Sequence, residues 1–329
     1  MGDPACTGRG NAPARPAAVG GREPSVDATA RTDPGLGDAT LEIEYYTDPL
    51  CIWSWAFEPQ WRRLRFEFDG AVSWRYRAGG MMPDLHRYSD PINDAGSPTQ
   101  MGSYWYRVRD QSGMPIDERI WAEDPPTSSY PASIAVKAAE SYGFRIGERY
   151  ARRLREAVAL ERRNIARTDV LVALAAEVGI GAEEFRWTLA DPAVIEAFRD
   201  DVKEARYRDI GRFPALILRS RSGGAALLVG WRPYDALRAA VERAAPGLTP
   251  LRRPGCIAQY VHHWGRISTN EVAVAFDMDL AEAHDALAAC VEAGVLRRLN
   301  LERGELFEAC AAVSEFGPST VPSPVAYRR

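Results

Sequence analysis

Apolar and polar positions alternate through Leu41-Glu42-Ile43-Glu44-Tyr45-Tyr46, the two-residue period of a half-buried strand. A breaker follows, Thr47-Asp48-Pro49-Leu50. Trp53, Phe57, Trp61 and Leu64 then recur at helical spacing, which predicts one helix from Trp53 to about Phe68. Asp69-Gly70 ends it, and Ala71-Val72-Ser73-Trp74-Arg75-Tyr76 alternates again. Strand, helix and strand with tight connections make a βαβ unit, with parallel strands and a right-handed crossover.

From about Pro98 to Arg208 the helical period dominates, over Tyr130–Tyr142, Glu148–Glu161, Thr168–Val178, Ala182–Leu189 and Pro192–Tyr207. Thr168-Asp169 and Asp191-Pro192 place capping residues before helix-forming sequence. The β pattern returns at Phe213–Leu218. A Gly223-Gly224 turn and Ala225–Val229 complete a hairpin, and a helix over Pro233–Ala244 closes the unit. The sum is βαβ, a helical insertion at about 98–208, then ββα.

Residues 246–254 read as a linker. Beyond it, over 255–315, come helices at Ile257–Trp264, from Ser268 and at Leu280–Ala293. Ser268-Thr269-Asn270-Glu271 has the form of a capping box, and Gly294 suits a C-terminal cap. Val295–Leu299 and Glu305–Glu308 flank Arg303-Gly304 as a short hairpin. Three helices and a β-wing predict a winged-helix-like domain, followed by a tail over 316–329. Residues 1–39 lack periodicity and large apolar side chains, and read as a disordered leader. The fold class is therefore α/β, with a small C-terminal domain.

Composition narrows the functions. The formal charge is −4, with only two lysines, Lys137 and Lys203, which argues against a polyanion binder. The presumptive recognition helix is acidic, with Asp277, Asp279, Glu282 and Asp285, so it would repel phosphates. We therefore expect no nucleic-acid partner. The five cysteines, Cys6, Cys51, Cys256, Cys290 and Cys310, form neither a C-x-x-C nor a ligand cluster, and no metal site or disulfide framework is expected. No apolar run approaches the length of a membrane span, so a cytoplasmic protein is expected.

Cys51 carries the candidate chemistry. It opens the first helix, where unpaired backbone N–H groups and the helix dipole favour negative charge, and hence a nucleophilic thiolate. Ser54 stands three residues on, where a redox protein would carry a second cysteine, and it cannot resolve a mixed disulfide.

The order βαβ, helices, ββα, with that cysteine and Phe213-Pro214 before the third strand, resembles the DsbA-like branch of the thioredoxin superfamily. Within that branch the chain is similar to the group that includes FrnE-type isomerases and ClpXP adaptor proteins. Four motifs carry the resemblance over about residues 41–245: Tyr45–Trp55, Gly79-Gly80-Met81, Pro125–Ala132 and Gly211-Arg212-Phe213-Pro214. The family pattern has Cys-Gly-Trp-Cys where this chain has Cys51-Ile52-Trp53-Ser54. The resemblance implies a thioredoxin-like fold and a cis-proline at Pro214 that positions substrate, with Phe213 as a pocket wall.

Two functions follow. In the first, Cys51 acts as a single nucleophile in thiol-disulfide exchange or isomerisation. Ser54 stabilises its thiolate and Trp53 faces the substrate. An external thiol such as glutathione or mycothiol acts as co-substrate, with no bound cofactor. Kappa-type glutathione transferases and hydroxychromene-carboxylate isomerases are related precedents for thiol chemistry without a dithiol. In the second, the chain is a non-enzymatic adaptor whose groove presents a client to a protease or regulator. Duller readings stand beside these: an inert buried Cys51, core packing for Trp61 and Trp74, and a surface role for His86. The Pro125–Pro131 segment suits either a substrate loop or the start of a helix.

Overall fold

The computed structural model describes residues 39–310. The predicted leader and tail, apart from Ala39, and the end of the winged-helix-like region lie outside them. Strand β1 (Leu41–Thr47) pairs in parallel with β2 (Val72–Ala78), Ile43 opposite Trp74. It pairs antiparallel on its other side with β3 (Ala215–Ser220), which pairs with β4 (Ala225–Val229). The sheet order is β2-β1-β3-β4, the thioredoxin-like arrangement that the element order predicted.

The predicted first helix is two. Helix α1 (Ile52–Ala56) stops at Phe57 and α2 (Glu58–Glu67) restarts there, with Pro59 in its first turn. Proline lacks the N–H that a continuous helix would need and is at home in a first turn, so the break has a local cause. On this side of the sheet Trp61, Phe57, Phe68 and Leu64 pack with Leu41, Ile43, Tyr45 and α10 (Tyr234–Ala244).

The insertion begins at α3 (Pro98–Ser112) and continues through α4 (Ile120–Glu123), α5 (Tyr130–Glu140), α6 (Phe144–Leu160), α7 (Thr168–Glu177), α8 (Ala182–Leu189) and α9 (Pro192–Tyr207). Its core joins that of α1 through Trp55, Trp105 and Trp121. Helix α6 starts four residues earlier than its periodicity indicated, because Phe144 packs against Trp74.

The C-terminal module contains α11 (Ile257–Trp264), α12 (Thr269–Phe276), α13 (Leu280–Glu292) and the hairpin β5 (Leu296–Leu301) and β6 (Gly304–Ala309). An Ile267–Phe307 bridge ties the hairpin to the helices, and the Ser268/Glu271 capping box is present in full. Residues of the segment read as a linker, and of the module itself, contact α2 and α6. Leu251 N–H donates to the Glu67 carbonyl at 2.8 Å, and Arg252 Nε to that of Phe66 at 2.7 Å. Arg62 and Arg152, from α2 and α6, both grip Glu271.

Candidate functional site

Asp48 organises the site. Its Oδ1 accepts the Leu50 N–H at 2.9 Å, while Oδ2 accepts the Met81 N–H at 2.9 Å and the Ser129 hydroxyl at 2.8 Å. Three motifs that lie far apart in the chain are thereby pinned to one carboxylate. This buried group keeps its pKa above the ordinary carboxylate range, since burial outweighs its hydrogen bonds. The Pro125–Pro131 segment resolves accordingly. Ser128 Oγ accepts the Tyr130 N–H at the start of α5 and Ser129 staples the loop. None of its residues lines the cavity at Cys51.

Cys51 is the N-cap of α1, and its N–H donates to the Asp48 carbonyl at 3.0 Å. Its side chain is only 5% exposed, against Tyr46, Ala205, Ile210 and Phe213. The Sγ donates to the Phe213 carbonyl at 3.5 Å, across a cis Phe213–Pro214 peptide bond. The structure thus brings Cys51, Ser54, Trp53, Phe213 and Pro214 together, and the Pro214 carbonyl accepts the Gly230 N–H.

Burial works against the thiolate expected at the helix start. Burial pushes the Cys51 thiol above its ordinary pKa. The Ser54 hydroxyl and N–H pull it down without reversing the shift, Asp48 adds to the rise, and Arg155 opposes it. Helix α1 has five residues and therefore few aligned peptide dipoles, whereas desolvation acts on the whole charge of a thiolate. Ser54 is fully buried, and its Oγ has no partner meeting hydrogen-bond geometry. Cys256, Cys290 and Cys310 are free thiols in the C-terminal module, and none lines the cavity that holds Cys51.

That cavity has a volume of about 590 Å³ and lies between α1, α3, the cis-proline loop and the Gly230-Trp231 corner. Trp53, Met81, Tyr88, Tyr104, Phe213 and Trp231 are among the side chains that line it. Trp53 stacks obliquely on Trp231, with centroids 6.4 Å apart. Burial raises the pKa of Tyr88 and Tyr104, and the nearby Cys51 adds to both shifts. Both phenols are therefore neutral donors beside the sulfur. Tyr104 is legible in the sequence as part of the aromatic Tyr104-Trp105-Tyr106 run. Tyr88 and Trp231 gave no signal there. Trp61 and Trp74 are core residues, and His86 is exposed in a single 3-10 turn.

Gly79 explains part of the Gly79-Gly80-Met81 motif, whose role is not legible in the sequence. A Cβ at this position would lie 2.1 Å from the Phe213 ring, so only glycine lets that ring close over the cysteine. Gly79→Ala should cost about 1–3 kcal/mol through overpacking and displace the Phe213 carbonyl from Sγ. A urea midpoint unchanged from wild type would contradict this.

Among the described residues, no group of three or more His, Cys, Asp or Glu is arranged to hold a metal. Nor is any helix long and apolar enough to cross a membrane.

Comparison with known proteins places this geometry among relatives. A family model described as thioredoxin matches residues 45–238. The ClpXP adapter protein SpxH of Halalkalibacterium halodurans is 29% identical over 266 residues, which cover 80% of this chain and 87% of the relative. The protein of the same name from Bacillus subtilis is 25% identical, covering 84% and 91%. A candidate protein disulfide isomerase from Nitrosomonas europaea shares the fold. Its TM-score is 0.52 at 21% identity, over 62% of this chain and 96% of that one.

Proposed function

This chain belongs to the thioredoxin family, and from that premise we propose that it is a DsbA-like cytoplasmic adaptor that holds a protein client for a protease of the ClpXP kind. One observation carries the reading. The similarity to the SpxH adapters spans 80% of this chain, too much to fit within the stretch that ends at residue 238. The shared part therefore reaches into the C-terminal module, which a thiol oxidoreductase of this fold does not need. The state of Cys51 supports the same reading, because a buried neutral thiol with a serine in the resolving position is a poor exchange catalyst.

The second reading is monothiol exchange, favoured by the position of Cys51 on the wall of an open cavity beside cis-Pro214. The Cys51 thiolate would attack a disulfide, forming a mixed disulfide and releasing one thiolate. Glutathione or mycothiol would then attack that mixed disulfide, returning Cys51 and carrying the other half away as a new disulfide. Here Ser54 would favour the thiolate, while Trp53, Phe213 and Pro214 would contact the substrate.

A cellular complementation experiment separates the two. In cells lacking the gene, the proteins whose half-lives lengthen are identified by pulse-chase proteomics, and wild type or Cys51→Ser is restored. The adaptor reading expects both to restore turnover equally. A folded Cys51→Ser protein that behaves like the deletion would give precedence to exchange chemistry.

A further inference from the structure

The cavity beside Cys51 joins two kinds of surface, and their combination says what enters it. Its lining is mixed: aromatic side chains stand beside polar ones, among them two exposed arginines, Arg87 and Arg212. Neither side chain makes a hydrogen bond, an ion pair or a ring contact among the described residues. Nearby arginines are committed: Arg107 donates to the Asn93 carbonyl and Arg232 to that of Trp231. The carboxylates of the same lining are committed as well. Asp84 accepts the His86 N–H, and Asp90 accepts the N–H groups of Ile92 and Asn93 together with the Asn93 side chain. Both carboxylates are turned onto N–H groups of their own loops, whereas the two guanidinium groups are left to face a ligand.

We propose that this cavity receives an extended client segment in which an apolar or aromatic side chain is flanked by acidic residues. The side chain fills the space between Trp53, Tyr104 and Phe213, and the flanking carboxylates pair with Arg87 and Arg212. Guanidinium groups suit carboxylates through paired N–H donors, and exposed charges at a rim govern partner choice more than raw affinity. An extended backbone is favoured over a compact ligand by the sheet itself. Among the described residues strand β4 pairs only with β3 and forms an edge of the sheet, and it ends at Val229, directly before the Gly230-Trp231 corner of the cavity. A segment that adds to that edge can continue past the corner and place a side chain inside.

This inference rests on the adaptor reading, and its test separates the two. Fluorescence anisotropy on the full-length protein would compare a labelled Glu-Glu-Leu-Phe-Leu-Glu-Glu peptide with its Lys-Lys-Leu-Phe-Leu-Lys-Lys counterpart. The acidic peptide should bind at least about tenfold more tightly, and added salt should narrow the gap. The double variant Arg87→Glu/Arg212→Glu should lose that preference while keeping the wild-type urea midpoint, since neither arginine has a partner to lose. Equal binding of both peptides, binding of neither, or an unaffected double variant would overturn the proposal. In cells, the double variant should fail to restore client turnover. Normal turnover with the double variant removes this inference and leaves the adaptor reading standing. If wild type itself turns over no client, the adaptor reading falls, while the peptide preference in vitro still reports the cavity's chemistry.

Discussion

Glu271→Ala should destabilise the folded chain by about 3–5 kcal/mol, the cost of removing one partner from a buried ion pair. Glu271 is fully buried and serves three elements at once. Its Oε1 lies 3.0 Å from Arg62 Nη1 and 3.1 Å from Arg152 Nη1, and its Oε2 is 3.2 Å from Arg152 Nη2. The same Oε2 accepts the Ser268 N–H at 2.7 Å, closing the capping box of α12. Truncation takes a carboxylate from two guanidinium groups at side-chain exposures of 6% and 11%, leaving them to share Glu58, with Glu156 for Arg152, and it frees the helix cap. Glu196→Ala on the surface of α9, where the side chains pairing with it are well exposed, should change stability by less than about 1 kcal/mol. Urea midpoints at constant m-value test both. A Glu271→Ala midpoint equal to that of Glu196→Ala would mean that the C-terminal module is not held by this cluster.

The cluster also sets a pH dependence. Glu58 pairs with Arg155, Arg152 and Arg62, and these arginines hold its carboxyl below the usual range despite burial. Glu44, ringed by Arg75, Arg77 and Arg219, is lowered too. A carboxyl whose folded pKa lies below its unfolded value adds stability above the ordinary carboxylate range of about 4, and loses it as pH falls through the folded value. Acid should therefore loosen the sheet and the C-terminal docking together, since Glu44 lies under the one and Glu58 beside the other.

How far the sequence was legible depends on the range of the forces involved. The alternation of Leu41, Ile43 and Tyr45 located β1 because burial on one sheet face imposes a two-residue period. Ser268 and Glu271 announced a helix start because capping acts within one turn. Glu271's second task was hidden, because nothing in its neighbours names Arg62 or Arg152, over a hundred residues away. The same limit explains Cys51. Its position before a helix argued for a thiolate, and the local geometry is as expected. What works against it is the apolar cover supplied by Phe213, Ala205 and Ile210, which no local pattern around residue 51 reports. The break at Phe57, by contrast, was readable from Pro59. The run of aromatic residues at helical spacing concealed it, since two short helices in line keep much of that period.

Cys51 should alkylate more slowly at neutral pH than a free cysteine, and its rate should keep rising with pH beyond the ordinary thiol pKa of about 8.5. The cause is desolvation of the thiolate, which the interactions with Ser54 and Arg155 only partly offset. Iodoacetamide rates measured against pH, with Cys51→Ser subtracted to remove the other four thiols, give the curve directly. Ser54→Ala should slow the reaction further, because the hydroxyl it removes favours the thiolate. Stability should follow with a fixed sign. Above about pH 8.5 the unfolded thiol loses its proton first, so the wild-type urea midpoint should fall relative to Cys51→Ser until the folded thiol ionises as well. A thiol that titrates below the free value would show that the cavity stabilises charge at sulfur, and monothiol exchange would then displace client holding as the function of this site. A thiol that titrates above it leaves the sulfur as a neutral donor to the Phe213 carbonyl, a wall of the cavity that holds its shape without reacting.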